Sequence, residues 1–224
     1  MKPTFRVFAS LAFVAVMLVW GVISAAAASM EVPNPPMDTP AMMKGTQVAV
    51  FAGGCFWGMQ GVFERLKGIV DVTAGYSGGS GGTAQYEVVS TGTTGHAESI
   101  QIRYDPAQIS YGTLLKVFFT VAHDPTELNF QGPDHGTQYR SVIFYNNEGQ
   151  KQVADGYISA LDQAKVFSQR IVTQVIPLKA FYPAEEYHQH YLDRNPGSLY
   201  IMLYDMPKIA ELKRLYPQLV AAGG

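Results

Sequence analysis

The sequence is most informative in what it withholds. Its 224 residues hold one cysteine, Cys55, so no disulfide can form within the chain. A disulfide-stapled exported scaffold, which needs an even set of cysteines, is excluded. There is no basic excess either, since 16 Lys and Arg stand against 18 Asp and Glu, and nothing here suits a nucleic-acid or anionic-membrane partner. Repeats are absent, as is any coiled-coil seam, and a monomer is the expected state. After residue 28 no segment is apolar for long enough to cross a bilayer.

The exception is the start. Lys2 and Arg6 precede an apolar run from Val7 to Ile23, and Ala25 to Ala28 supply small residues in an A-x-A pattern. This describes an export signal over residues 1–28, cleaved near Ala28; left uncleaved, it is just long enough to serve as an anchor. Either way the folded part is expected outside the cytoplasm, in the periplasm or extracellular space. Removing Lys2 and Arg6 takes the formal charge from −2 to −4. Residues 29–45 carry Pro33, Pro35, Pro36 and Pro40 without periodicity and read as an extended, semi-rigid linker. Residues 46–224 are of single-domain length and can bury a core.

Within that domain the organising stretch is Val48 to Glu64. Small and apolar residues lead into Gly53-Gly54, and Met59, Val62, Phe63 and Leu66 then recur at helical spacing. The pattern predicts strand, tight turn and helix, with Gly68 as the stop. Cys55 is expected in the first helical turn, where free N–H groups and the dipole favour a thiolate. A lone cysteine is more often a buried small hydrophobe. Against that, flanking glycines let a ligand approach the backbone. Phe56 and Trp57 follow at once, and either plug the core or wall a pocket beside the sulfur.

A second anomaly lies in His96 to Asp105. Ile100, Ile102 and Tyr104 alternate with Ser99, Gln101 and Arg103, and Glu98 shares the apolar register. A carboxyl on a core-facing strand position has its pKa raised by burial, as a general acid working near neutral pH requires. The competing reading turns Glu98 into solvent at the strand end.

Further on, strands are expected at Ile69–Tyr76, Val142–Tyr145 and Ile171–Ile176, with a short extended piece near Tyr86. Helices are expected at Tyr111–His123, at Gln150–Phe167, over Pro183–Leu192 and from Lys208 to Val220. A long polar loop covers Thr126 to Gln138, and loops of that length usually carry function. The order implies an α+β fold: a two-layer, ferredoxin-like sandwich with helices packed on a mixed sheet.

Three reaction classes suit a lone exported cysteine: acyl transfer with His96 or His135 as base, peroxidase chemistry through a sulfenic acid, and attack on another electrophilic sulfur. A metal is the weakest option. Glu185 and His188 have a ligand-like (i, i+3) spacing without a second copy, and His188 and His190 do not share a helix face.

Four motifs decide among these. Gly54-Cys55-Phe56-Trp57-Gly58, Gly95-His96-Ala97-Glu98, Gly132 through Ser141, and Glu186-Tyr187-His188-Gln189 together resemble the A-type peptide-methionine sulfoxide reductases. The resemblance implies reduction of the S epimer of methionine sulfoxide, free or in proteins. It makes Cys55 the nucleophile at sulfur and Glu98 the acid at the sulfoxide oxygen, with Tyr86 and Tyr139 bonding that oxygen. Asp134 helps position substrate, Phe56 and Trp57 hold the ε-methyl group, and Gly54 and His188 belong to the substrate-binding set. Tyr200 aligns with a tyrosine near the site. No metal, flavin or nicotinamide is implied. Many relatives carry resolving cysteines near the C-terminus; here that region reads Asn195-Pro196-Gly197-Ser198-Leu199-Tyr200 and has none. A Cys55 sulfenic acid would then need an external thiol, from thioredoxin, glutaredoxin or a small thiol. The role this gives an exported protein is repair of oxidised proteins.

Overall fold

A computed structural model describes residues 32–38 and 45–224. The export segment lies outside the described residues. Among those described, a six-stranded mixed sheet carries the chain. Strand β1 (Gln47–Ala52) lies at its centre, between β3 (Ala97–Tyr104) and β6 (Val142–Tyr145), antiparallel to both. On one side β2 (Ile69–Ser77) pairs antiparallel with β3, and β8 (Phe181–Pro183) follows at the edge. On the other, β7 (Gln174–Pro177) runs parallel to β6. The α+β, helix-on-sheet architecture expected from the element order is the one observed.

The alternation seen in β3 explains which face is covered. Ile100, Ile102 and Tyr104 share a core with Ala49 and Phe51 of β1, Val72, Ala74 and Tyr76 of β2 and Ile143 of β6. Helices α1 (Phe56–Glu64), α3 (Tyr111–Val117) and α4 (Glu148–Gln163) press Met59, Val62, Phe63, Leu114, Leu115 and Tyr157 into the same core. Opposite-parity residues Val50, Ala52, Ala97, Val142 and Phe144 form a smaller cluster on the other face. The capping is conventional: Ser110 accepts from Thr113 N–H at 3.1 Å and Asn147 from Gln150 N–H at 3.0 Å.

Several local expectations shift. Tyr86–Val89 forms a one-turn helix, α2, rather than an extended piece. The expected strand at Ile171 begins only at Gln174. Pro183 closes β8 instead of opening a helix; a 3₁₀ turn over Glu186–His188 and the short α5 (Tyr191–Arg194) follow it. The α3 helix continues as a π-type turn over Phe118–Ala122. The closing helix begins well before Lys208: helical backbone starts at Leu199, passes a π-type turn over Ile201–Asp205 and continues as α6 (Met206–Leu215). Residues 32–38 are extended but docked. Asp38 accepts from the Gly112 N–H at the start of α3 at 2.8 Å, Asn34 accepts from Lys116 at 2.8 Å, and Pro33 C=O accepts from Tyr157 at 3.0 Å.

Candidate active site

The β1 strand delivers the chain to a turn that only glycine makes without strain. Gly54 has φ +91°, and a Cβ there would lie 2.6 Å from the Gln131 side chain. Gly53 is packed against the buried His123 ring, 2.8 Å from a hypothetical Cβ. Cys55 then falls at the N-cap of α1, one position before the helix rather than in its first turn. The Phe56 backbone N–H donates to Glu98 Oε2 at 3.1 Å, while the Cys55 side chain makes no capping hydrogen bond. One of the helix's free donors thus serves a carboxyl group rather than a cap.

Glu98 is 3% exposed, on the core-facing side of β3 and opposite Tyr76 of β2. Burial pushes its pKa up to about 8, against the pull of the Phe56 N–H and with a further push from Asp134. The strand-end escape into solvent does not occur. Cys55 departs from the expectation drawn from the helix start: its thiol lies well above the ordinary range. Burial is the main cause, Glu98 and Asp205 add to it, and the Trp57 N–H does not offset them. In the resting site the sulfur is a thiol.

The tyrosines and Asp134 converge on the same place. Tyr139 ends a 3₁₀ turn over Thr137–Tyr139. Burial raises its pKa, and the charges of Glu98, Asp134, Cys55 and Tyr86 reinforce the rise. Arg140 pins this loop, donating to His96 C=O at 3.0 Å and Gly95 C=O at 2.9 Å. Tyr86 opens α2, its ring 4.4 Å from His188, with Glu98 and Cys55 both acting on its hydroxyl. Asp134 lies in a small hairpin of β4 (Phe130–Gln131) and β5 (Asp134–His135) and accepts a short hydrogen bond from Tyr200. A cavity of about 80 Å³ is lined by Cys55, Gln131, Pro133, Asp134, Tyr200 and Lys208, among others.

Phe56 and Trp57 differ in how far they are buried. Phe56 is buried against Tyr76 and His188, with centroids at 5.8 and 5.0 Å. Trp57 is only half-buried and is gripped on three sides. It stacks on Tyr191 at 3.8 Å, meets Tyr200 edge-on at 5.8 Å and donates its indole N–H to His188 Nδ1 at 3.1 Å. That bond places the His188 proton on Nε2, which is buried without a partner. His188 is held by its neighbour: the Gln189 amide bonds Ala74 N–H and C=O, both at 2.9 Å, like an added strand at the β2 edge. Glu185 bridges the Tyr76 hydroxyl and the Tyr86 N–H, each at 2.9 Å, so it and His188 face different partners and form no ligand pair.

The histidines offered for acyl transfer are committed elsewhere. His96 accepts from Gly79 N–H at 3.2 Å and meets Ser80 C=O at 2.9 Å with its other nitrogen. His135 is exposed and stacks on Phe130 at 5.4 Å. Asp205, Tyr204 and Lys208 escaped the sequence reading. Asp205 is 0% exposed, with Lys208 Nζ at 3.3 Å from one oxygen and nothing on the other. The signal was available, because Asp205 stands in register with the buried Ile201, Ile209 and Leu212.

A family model described as peptide methionine sulfoxide reductase matches residues 47–218. The chain belongs to the A-type peptide methionine sulfoxide reductase family. Among its relatives, a peptide methionine sulfoxide reductase MsrA 2 of Mesorhizobium japonicum is 57% identical over 78% of this chain and 90% of its own. That of Synechocystis is 51% identical over 84% and 89%. Reduced Mxr1 from Saccharomyces cerevisiae superposes with a TM-score of 0.63 at 36% identity, covering 72% of this chain and 91% of that one. The methionine sulfoxide reductase A of Corynebacterium diphtheriae gives 0.59 at 34%, covering 70% and 79%. The reductase is therefore an oxidoreductase acting on peptide methionine sulfoxide, with the helix-on-sheet fold of these neighbours.

Proposed function

We propose that the enzyme reduces the S epimer of methionine sulfoxide, free and in proteins, with Cys55 as nucleophile and Glu98 as acid. The observation that carries this is the shared helix start, where the Phe56 N–H of α1 holds the Glu98 carboxyl group one residue from Cys55. At neutral pH Glu98 keeps its proton and can give it to the sulfoxide oxygen, with the Tyr86 and Tyr139 hydroxyls sharing that oxygen. Asp134, fixed by Tyr200, accepts from the substrate backbone; Trp57 and Phe56, beside Gly54 and His188, bound the methyl group.

In the first step the Cys55 thiol and methionine sulfoxide give methionine and Cys55 sulfenic acid. Glu98 gives its proton to the sulfoxide oxygen, and the thiol proton released as the sulfur attacks returns to Glu98. The oxygen moves to Cys55, and cysteine sulfur loses the two electrons that sulfoxide sulfur gains. With no second cysteine in the chain, one external thiol then forms a mixed disulfide and water. A second thiol releases Cys55 and an external disulfide. No metal, flavin or nicotinamide enters. A dithiol protein or a small thiol serves equally in this scheme, and the enzyme works as a monomer.

The test incubates the protein with dithiothreitol and both epimers of methionine sulfoxide, each followed by chromatography. Loss of the S epimer alone, abolished in Cys55→Ser, is expected; consumption of neither epimer, or retained activity in Cys55→Ser, sinks the reading. Residues 1–28 fit an export signal, which assigns the enzyme to repair of exported proteins. Fractionation of cells making the chain with and without residues 2–28 checks this, and equal retention in the cytoplasm overturns it.

A further inference from the structure

The helical backbone from Leu199 to Leu215 presents three stripes. Ile201, Asp205, Ile209 and Leu212 face the core. Tyr200, Tyr204 and Lys208 line the Cys55 cavity. The third stripe, Leu199, Met202, Leu203 and Met206, repeats at i, i+3, i+4 and i+7 as a core-facing helix does, yet it is 72%, 53%, 62% and 42% exposed. A contiguous apolar face of this kind, uncovered among the described residues, marks an interaction surface.

We propose that this stripe is a docking face for the apolar residues flanking an oxidised methionine in an unfolded polypeptide. The inference rests on the reading of Cys55 as the site of sulfoxide reduction. The cavity of about 80 Å³ has room for the end of one side chain, so the rest of a peptide substrate must lie outside it. The helix that supplies one wall of that cavity supplies the stripe as its adjoining face. From Leu199 to Met206 the stripe runs about 10 Å, the length of about three residues of extended chain. Its chemistry suits the same occupant. Met202 and Met206 are unbranched and polarizable, which lets one face adapt to many sequences.

The probes are acetylated pentapeptides with a central methionine (S)-sulfoxide, flanked by Leu and Phe or by Ser and Gly, and N-acetyl-methionine sulfoxide, all with dithiothreitol. The wild-type enzyme is expected to favour the apolar-flanked peptide. In M202Q/L203Q, kcat/KM for that peptide falls about ten-fold while the other two substrates stay within about two-fold. The volume-conserving M202L/L203M keeps the wild-type preference. Equal rates on both peptides in the wild type, or an equal change on all three substrates in both M202Q/L203Q and Leu199→Gln, overturns the docking face. So does a defect seen only when a dithiol protein replaces dithiothreitol, which gives the face to the reductant. A dimer lost in M202Q/L203Q by sedimentation gives it to a second copy instead. Failure of the wild-type enzyme on N-acetyl-methionine sulfoxide, by contrast, would strike the catalytic reading itself.

Discussion

Two buried carboxylates push up the pKa of Cys55, and what holds each of them differs. Glu98 lies on a strand, with no cation paired to it among the described residues, and accepts from a peptide N–H of the helix that starts after Cys55. Burial, with a push from Asp134 and against the pull of that N–H, holds its proton to about pH 8. Asp205 lies on a helix with Lys208 beside it; burial raises its pKa too, but the ammonium opposes the rise. On the proposed mechanism, the buried acid that delivers a proton is kept from cations, whereas the one that shapes the local field is tied to one. Both disfavour the thiolate, so either can be tested through the thiol, and only one should matter to proton delivery.

The largest contrast is in chemistry. Glu98→Gln should lower kcat/KM about 10²- to 10³-fold, the usual worth of a positioned general acid. Asp205→Asn should stay within about three-fold of wild type, since the shape and the Lys208 contact survive. In Asp205→Asn the Cys55 pKa should drop, read as faster alkylation by iodoacetamide near neutral pH; in Glu98→Gln, whose carboxyl is already neutral there, faster alkylation should appear only above about pH 8. If Asp205→Asn loses as much activity as Glu98→Gln, the division of roles is wrong.

Next in size is the pH response. The acid form of Glu98 disappears as pH rises through about 8, so kcat/KM should decline above that point and the decline should vanish in Glu98→Gln. Stability carries the same mark with a defined sign. Between the ordinary carboxyl pKa and about 8 the folded state binds a proton that the unfolded state has released, so stability falls with rising pH across that window. Denaturant titrations of wild type and Glu98→Gln at pH 5 and 8.5 measure it; the wild type should lose more than the variant.

The two carboxylates also show what the sequence exposes and what it hides. Glu98 was legible because strand alternation has period two, and a charge in register with Ile100 and Ile102 is conspicuous within six residues. Asp205 obeys the same logic between Ile201 and Ile209, but a π-type turn over Ile201–Asp205 and a proline at 207 interrupt the helical spacing. A helix drawn from Lys208 onward left Asp205 outside any periodic segment. Cys55, Asp134 and Tyr139 were legible through motifs; the Cys55 pKa was not, because the opposing charges come from distant segments. The fold class followed from element order. The Pro-rich stretch differs for another reason: apart from Val32, which packs on the core, its bonds run through Asp38, Asn34 and one carbonyl, and a single apolar residue leaves no periodic pattern to read.

That stretch yields the smallest effect. Deleting residues 1–45 removes the Asp38, Asn34 and Pro33 bonds to α3 and α4, and should lower Tm by about 5 °C relative to a chain starting at residue 31. Activity on free methionine sulfoxide should be the same in both.

The most direct test of the central claim is a single turnover without any thiol. Reduced enzyme mixed with excess methionine (S)-sulfoxide should release one methionine per chain, with one sulfenic acid trapped by dimedone at Cys55 and further methionine only after dithiothreitol is added. Continued turnover without thiol, or a full equivalent of methionine with no sulfenic acid at Cys55, would contradict a reductase that runs on one cysteine and an external reductant.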